Sequence, residues 1–410
     1  MKLNDLMVLQ RQFSSSTRRQ AFGVLEAIAR SHEPTQTMFE QLESAYQSTG
    51  EFVADSIEFK DALIEIHPQG SRAIGTTTRP TAHTEIDIDL VARLQIQTFN
   101  KYSGYGGPKN LLDELHTVLA RYGARHDLEV KRRARCITLM YSNDLHADIT
   151  PVIDSPLISL DFGDSHGMVP DKDLSRFMGT NPLGYRKWFD GVAKLHPIYT
   201  VMLTKDFSES TSASVLPLPA VGEVFDRFLC RIVQVVKIHR NKLFGDKASN
   251  APTSIFLTTL IAKLYQQLSP RPHLDELDLL LDITNMLPTA FERHDHADGT
   301  QEWRLLNPTT KNENVASRMN SPERQQGFWI WLNAFSEDLT KLSQAIQNDS
   351  GRDQLLLQVQ QAFGSRSSEG LRNEINVKAR GFRTQHLAIL SGAAATPTLA
   401  PSRSHTFSGN

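Results

Sequence analysis

Three acidic side chains set in apolar, strand-like surroundings are the residues of this chain best placed to do chemistry. Two stand in Glu85-Ile86-Asp87-Ile88-Asp89-Leu90-Val91 and the third in His146-Ala147-Asp148-Ile149-Thr150-Pro151. In a β-strand, side chains two apart leave the same face, so Asp87 and Asp89 point together while Ile86, Ile88 and Leu90 turn toward a core. Neighbouring carboxylates repel unless a cation lies between them. An all-oxygen donor set suits Mg²⁺ or Mn²⁺. Asp is also disfavoured in strands and costly to bury unpaired. A metal site shared by Asp87, Asp89 and Asp148 accounts for all three. Two ions about 4 Å apart can activate an attacking hydroxyl and neutralise a leaving group. A lone Asp-x-Asp fits a solvated face as well; the ordered set with Asp148 is more specific.

Upstream lies Gln69-Gly70-Ser71. A Gly-Ser turn after a strand lets the backbone approach a phosphate closely and offers N–H and hydroxyl donors. The Gly75-Thr76-Thr77-Thr78 run adds hydroxyls nearby.

These residues need elements to hold them. Short β-rich runs at 64–66, 86–91, 128–131, 136–141 and 147–153 surround a helix candidate over 108–122, whose Leu111, Leu112, Leu115, Val118 and Leu119 form one stripe. That mixture predicts an α/β-type lobe. Residues 1–50 read as helical, with apolar positions at helical spacing over 21–29 and 38–46. From about residue 220 the chain is helical again, over 221–244, 253–268, 274–291, 354–363 and 371–390. Ser321-Pro322 opens a further helix through Ile346. Residues 392–410 are rich in Ala, Thr, Pro and Ser and read as a flexible tail.

The pattern of a Gly-Ser, a spacer, an Asp-x-Asp pair and a later strand Asp resembles the nucleotidyltransferase superfamily of DNA polymerase beta and poly(A) polymerase. The spacer here, Arg72 through Glu85, is long, with an inserted loop at Arg79-Pro80-Thr81. Within that superfamily the two metal strands resemble those of the cGAS/DncV-like nucleotidyltransferases of bacterial anti-phage systems. Asn181-Pro182-Leu183-Gly184-Tyr185-Arg186-Lys187-Trp188-Phe189 looks like the stretch following that family's core, and Asn307-Pro308 with Glu313-Asn314-Val315-Ala316 is similar to the helical-lobe motif shared with the oligoadenylate synthases. The resemblance spans about residues 50–335. It implies an α+β, bilobal fold with a mixed-sheet catalytic lobe and a C-terminal helical lobe. The expected division is N-terminal helices packing on both lobes over 1–50, the catalytic lobe over 51–215, the helical lobe over 216–390 and the tail over 391–410.

The family implies a metal-dependent cyclic oligonucleotide synthase. It would join two or three nucleoside triphosphates, ATP among them, with release of pyrophosphate, as part of anti-phage defence. By position Lys237 and Ser254 resemble the helical-lobe lysine and serine that contact the donor triphosphate. A surface helix residue is the other reading of Lys237, and a helix-capping hydroxyl that of Ser254. Some bacterial members have their C-terminus ligated to targets by a partner with E1/E2-like character. The tail His405-Thr406-Phe407-Ser408-Gly409-Asn410 invites that comparison, but ends one residue past its glycine. Two further readings stay open: a template-free transferase acting on RNA or protein, and an inactive nucleotide-binding module.

Other features point elsewhere or nowhere. The formal net charge is -2, so no global field draws the chain to polynucleotide or membrane, and Lys131-Arg132-Arg133-Ala134-Arg135 reads as a hairpin. His294-Asp295-His296 with Asp298-Gly299 reads as an exposed turn. The two cysteines, Cys136 and Cys230, are too far apart and too few for a zinc pattern and read as reduced thiols. With neither signal peptide nor membrane span evident, the expected location is the cytoplasm.

Overall fold

The computed structural model describes residues 12–79, 86–141, 145–155, 162–173, 175–200 and 227–390, with backbone alone for Ile86 and 378–390. The inserted loop beyond Arg79 and the C-terminal tail expected to meet an E1/E2-like partner lie outside the described residues.

Two helices lead the chain. Helix α1 (Ser15–Ser31) starts where the Ser14 hydroxyl accepts from the Thr17 amide, and α2 (Gln36–Ala54) where Thr35 does the same for Met38. Strands β1 (Leu63–Gln69) and β2 (Ile86–Leu94) follow, then helix α3 (Gly107–His126). Strands β3 (Glu129–Arg132), β4 (Ile137–Tyr141), β5 (Leu145–Asp154), β6 (Gly167–Asp171) and β7 (Arg176–Thr180) complete a seven-stranded sheet. Its order is β1-β2-β5-β4-β3, with β6 and β7 joined beyond β5. Only the β2–β5 ladder is parallel among the pairings described in this sheet. A crossover through α3 supplies the length a parallel pair demands.

Alternation decides the two faces of this sheet. Ile88, Leu90, Ala92 and Leu94 of β2, with Ala147, Ile149 and Ile153 of β5, enter a core closed by Leu42, Ala45 and Val53 of α2 and the Leu111–Tyr122 stripe of α3. The odd-numbered β2 positions Asp87 and Asp89, and Asp148 of β5, therefore leave by the opposite face.

The rest is helical. Helix α4 (Pro182–Ala193) is followed by β8 (Ile198–Tyr199), α5 (Phe228–Phe244), α6 (Ser254–Leu268), β9 (Pro272–His273) and α7 (Glu276–Met286). A hairpin of β10 (Glu292–Asp295), which is exposed, and β11 (Gln301–Arg304), which buries Trp303, precedes α8 (Pro322–Gln347), α9 (Arg352–Phe363) and α10 (Ser365–Leu390). A second core gathers α5, α6, α7 and α8 with aromatic residues Trp303, Phe328, Trp331 and Phe335. Helix α1 also packs into it, through Leu25 and Ile28, so the two leading helices serve different cores. So do Tyr185 and Phe189 of α4, which places that helix with the helical core although it precedes residue 216. No helix among the described residues is long and apolar enough to cross a membrane.

Candidate active site

The parallel register sets Asp89 of β2 directly beside Asp148 of β5, and Asp87 beside His146. Asp87 is exposed and Asp89 and Asp148 are partly buried. The Asp148 carboxylate accepts from the Thr138 hydroxyl on β4. Burial, and then the charges of Asp87 and Asp148, push the Asp89 carboxyl up to about 7; the Lys237 ammonium pulls the other way. An anionic Asp89 is thus left only partly compensated by the protein's own groups. That is the electrostatic condition a divalent cation relieves, and the oxygen-only donor set of Asp87, Asp89 and Asp148 fits Mg²⁺ or Mn²⁺.

Gly70 closes one side of this group. It lies at the end of β1, where Gln69 pairs with Asp89, and begins a single helical turn, Gly70–Ala73. Its φ is +66°, and a Cβ added there would overlap Asp89 Oδ2. No other residue type permits both that backbone conformation and that approach. The Ser71 hydroxyl lies 3.3 Å from the Thr77 hydroxyl, and Thr76 N–H returns to Ser71 O. The glycine-serine turn and the threonine run thus form one folded loop.

Helix α5 grips that loop from the other lobe. The Cys230 thiol donates to Ile74 O, the Gln234 amide to Thr77 O and the Lys237 ammonium to Thr76 O at 2.9 Å. Positions 230, 234 and 237 share one helix face, so a polar stripe on a buried helix has a single partner. Lys237 is 9% exposed, not a surface residue. Burial, and then the neighbouring Arg240, bring its amine down to about 8. Ser254 stands at the first turn of α6, but its hydroxyl caps nothing: it accepts from Arg240 at 2.7 Å. Burial, followed by the charge of Arg324, lowers the Arg240 guanidinium to about 10.

These residues line one cleft of about 630 Å³ between sheet and helices. Its walls include Gly70, Ser71, Thr76–Thr78, Asp87, Asp89, Lys237 and Ser254, together with Arg186, Arg240, Asn307 and Glu313. Asp148 stands one strand further along the sheet and is not part of the wall. The volume is in the ordinary range for a small-molecule site. Asn181 joins the walls: its amide donates to Thr309 O, its oxygen accepts from Gly184 N–H, and it is buried. Asn307 donates to Glu313, whose carboxyl is raised by burial.

Arg240 and Asn241 also line the cleft, and the sequence pattern alone does not mark them. Given Lys237, the spacing was a signal: Arg240 follows it by three residues, which puts both on one helix face. The basic run at 131–135 is the β3–β4 hairpin and its turn; Arg132 pairs with Asp113 and Arg135 with Asp171. His294 and His296 lie exposed on or beside β10. Both cysteines are free thiols, Cys230 buried and Cys136 partly so.

A model of the family described as the Second Messenger Oligonucleotide or Dinucleotide Synthetase domain matches residues 24–192, a span that includes the glycine-serine turn and all three aspartates. A c-di-GMP synthase of Roseivirga ehrenbergii is 28% identical over 334 residues, covering 81% of this chain and 82% of that protein. Through that domain and that relative the chain is similar to the cGAS/DncV-like nucleotidyltransferases. A second relative, the cyclic dinucleotide synthase CdnG of Bradyrhizobium diazoefficiens, is 27% identical over 206 residues, 47% of this chain and 46% of that one. The solved structure of the Bradyrhizobium diazoefficiens CD-NTase CdnG in complex with GTP superposes with a TM-score of 0.60 at 21% identity. It covers 86% of this chain and 97% of the other. That agreement establishes the bilobal nucleotidyltransferase fold expected from the sequence.

Proposed function

We propose that this chain is a cGAS/DncV-like nucleotidyltransferase, a metal-dependent cyclic dinucleotide synthase using guanosine triphosphate as at least one substrate. The observation that carries the reading is the pairing of Asp89 with Asp148 on parallel strands, beside Asp87, against a cleft walled by the Gly70-Ser71 turn, the buried cation Lys237 and the partly buried cation Arg240. The guanosine preference is supported by two relatives, one named a c-di-GMP synthase and one solved with GTP.

In this reading Asp87 and Asp89 would hold both of two Mg²⁺ or Mn²⁺ ions, and Asp148 would help hold the one that activates the acceptor hydroxyl. Bound there, the ions would polarise the α-phosphate and neutralise the departing pyrophosphate. Gly70 lets the loop backbone come against Asp89, so the triphosphate rests on that loop and on the hydroxyls of Ser71 and Thr76–Thr78. Lys237, Arg240 and the Ser254 hydroxyl that accepts from Arg240 would meet the phosphates from the helical side. Catalysis by this chain is mainly positioning and fixed electrostatics. An anti-phage role, a cytoplasmic setting and attachment of the tail by an E1/E2-like partner belong to the same proposal and rest on family resemblance.

The test is incubation with all four nucleoside triphosphates and Mg²⁺ or Mn²⁺, then mass analysis of phosphatase-resistant products. The wild type should yield a guanosine-containing cyclic dinucleotide; folded Asp89→Ala and Asp148→Ala should yield none. Linear, phosphatase-sensitive products would favour a template-free transferase, and full synthesis by either variant would overturn the site.

A further inference from the structure

Among the described residues, the one set of three potential metal-ligating side chains whose donor atoms lie within 4.8 Å of one another is not in the cleft. It comprises His273 on β9 and Asp278 and Asp282 on α7. None of the three lines the nucleotide site.

The protonation of His273 follows from its neighbours. Nε2 lies 3.0 Å from the carbonyl oxygen of Leu268, which can only accept, so Nε2 carries the hydrogen. In the neutral ring Nδ1 then presents a lone pair. The residue is 3% exposed, and Nδ1 has no hydrogen-bond partner. It nevertheless sits 3.2 Å from Asp282 Oδ2. A ring nitrogen sealed from water against a carboxylate calls for a cation between them.

Direction separates a proton from a metal. A hydrogen bond requires the oxygen to lie along the N–H vector. Two ligands of one tetrahedral ion lie side by side instead, about 3.4 Å apart for bonds of about 2.05 Å, with both lone pairs converging on the ion. The Nδ1–Oδ2 approach has that separation without hydrogen-bond geometry. Asp278, 6% exposed, brings the second carboxylate, oriented by the Leu274 N–H at 2.9 Å. An imidazole with two carboxylates suits zinc better than magnesium. Asp282, with its side chain 23% exposed, leaves a way in from solvent.

We propose that His273, Asp278 and Asp282 form a structural zinc site, separate from the nucleotide cleft. The ion would tie β9 to the first two turns of α7. The backbone around His273 is also where Thr200 N–H and hydroxyl end, through the His273 carbonyl, and Asp275 two residues on receives Arg18 of α1. One ion would therefore fasten the junction of three segments.

The test uses the full chain, stripped with chelator and dialysed against micromolar zinc with excess magnesium, and reads zinc by elemental analysis and stability by thermal melting. Wild type should carry one zinc more than Asp282→Asn or His273→Gln. Zinc should raise the melting temperature of wild type and of Asp89→Asn, which is altered in the cleft, but not that of Asp282→Asn. Should His273→Gln fail to fold, the partly exposed Asp282→Asn decides. Equal zinc content and equal zinc stabilisation in wild type and Asp282→Asn would overturn the proposal and leave an imidazolium–carboxylate pair. Either result is independent of nucleotide synthesis.

Discussion

Replacing Asp89 by Asn should stabilise the metal-free protein while removing its response to metal. The Asp89 carboxyl is raised from 3.8 to about 7, first by burial and then by Asp87 and Asp148. Some three pH units at 1.36 kcal/mol each set a ceiling of about 4 kcal/mol. Local relaxation and water entry reduce this to on the order of 2 kcal/mol. The sign follows from proton counts. Between pH 4 and 7 the folded state keeps a proton that the unfolded state has released, so stability falls as pH rises through that window and stays low above it. Asn carries no charge at any pH and escapes the loss. In chelator at pH 8, Asp89→Asn should therefore be the more stable protein, and near pH 4 the two should coincide. With 410 residues the unfolding entropy is roughly 0.9 kcal/mol/K, so the gain is about 2 °C in melting temperature. Added Mn²⁺ or Mg²⁺ should invert the order. A ligand at one hundred times its Kd adds about 2.7 kcal/mol to the wild type and nothing to a variant that cannot bind it. Scanning calorimetry at several pH values, with and without metal, reads both effects. If Asp89→Asn melts below wild type in chelator at pH 8, the carboxylate is already satisfied by Lys237 and the loop, and the argument for an absent cation fails.

Two further substitutions test the cleft. Gly70→Ala places an L-residue at φ +66°, at roughly 1 kcal/mol, and drives a methyl into the Asp89 carboxylate. Product yield should fall by at least about tenfold, in keeping with a lost electrostatic contact to the reacting group; wild-type yield would show that the close approach is dispensable. Lys237→Met removes the cation that lowers the Asp89 carboxyl, so half-maximal metal-induced stabilisation should move to higher pH. The KM for triphosphate should rise about tenfold or more, the scale of one charged hydrogen bond. An unchanged pH midpoint would separate Lys237 from the metal ligands.

The candidate site is legible where a single residue contradicts its surroundings, and illegible where only tertiary contact brings a residue into the cleft. Asp87, Asp89 and Asp148 stand out because a carboxylate in an apolar strand is an anomaly the period-two pattern makes visible. Which strands would adjoin was not visible, and it is the β2–β5 register that makes Asp148 a neighbour of Asp89. Gln234 and Lys237 look like breaks in the apolar run of α5. Their meaning comes from a loop whose Thr76 carbonyl is 161 residues away in the chain. Helix ends failed for local reasons. The helix expected to run to Phe291 stops at Met286, where Pro288 forces a tighter turn over Leu287–Thr289. The helix expected from Leu371 starts six residues earlier in a polar stretch. That start is held from outside, Ser367 meeting His32 and Ser368 donating to Leu356 O. Strands β6 and β7, with glycines and a proline among few apolar residues, carry too little alternation to read. The histidine cluster follows the same logic. His273, Asp278 and Asp282 each suit the end or face of an ordinary element, and only the turn from β9 into α7 brings an unpartnered ring nitrogen against two carboxylates. Polar residues that violate a local pattern can be found from sequence, whereas those that satisfy it and act through a distant partner need the fold.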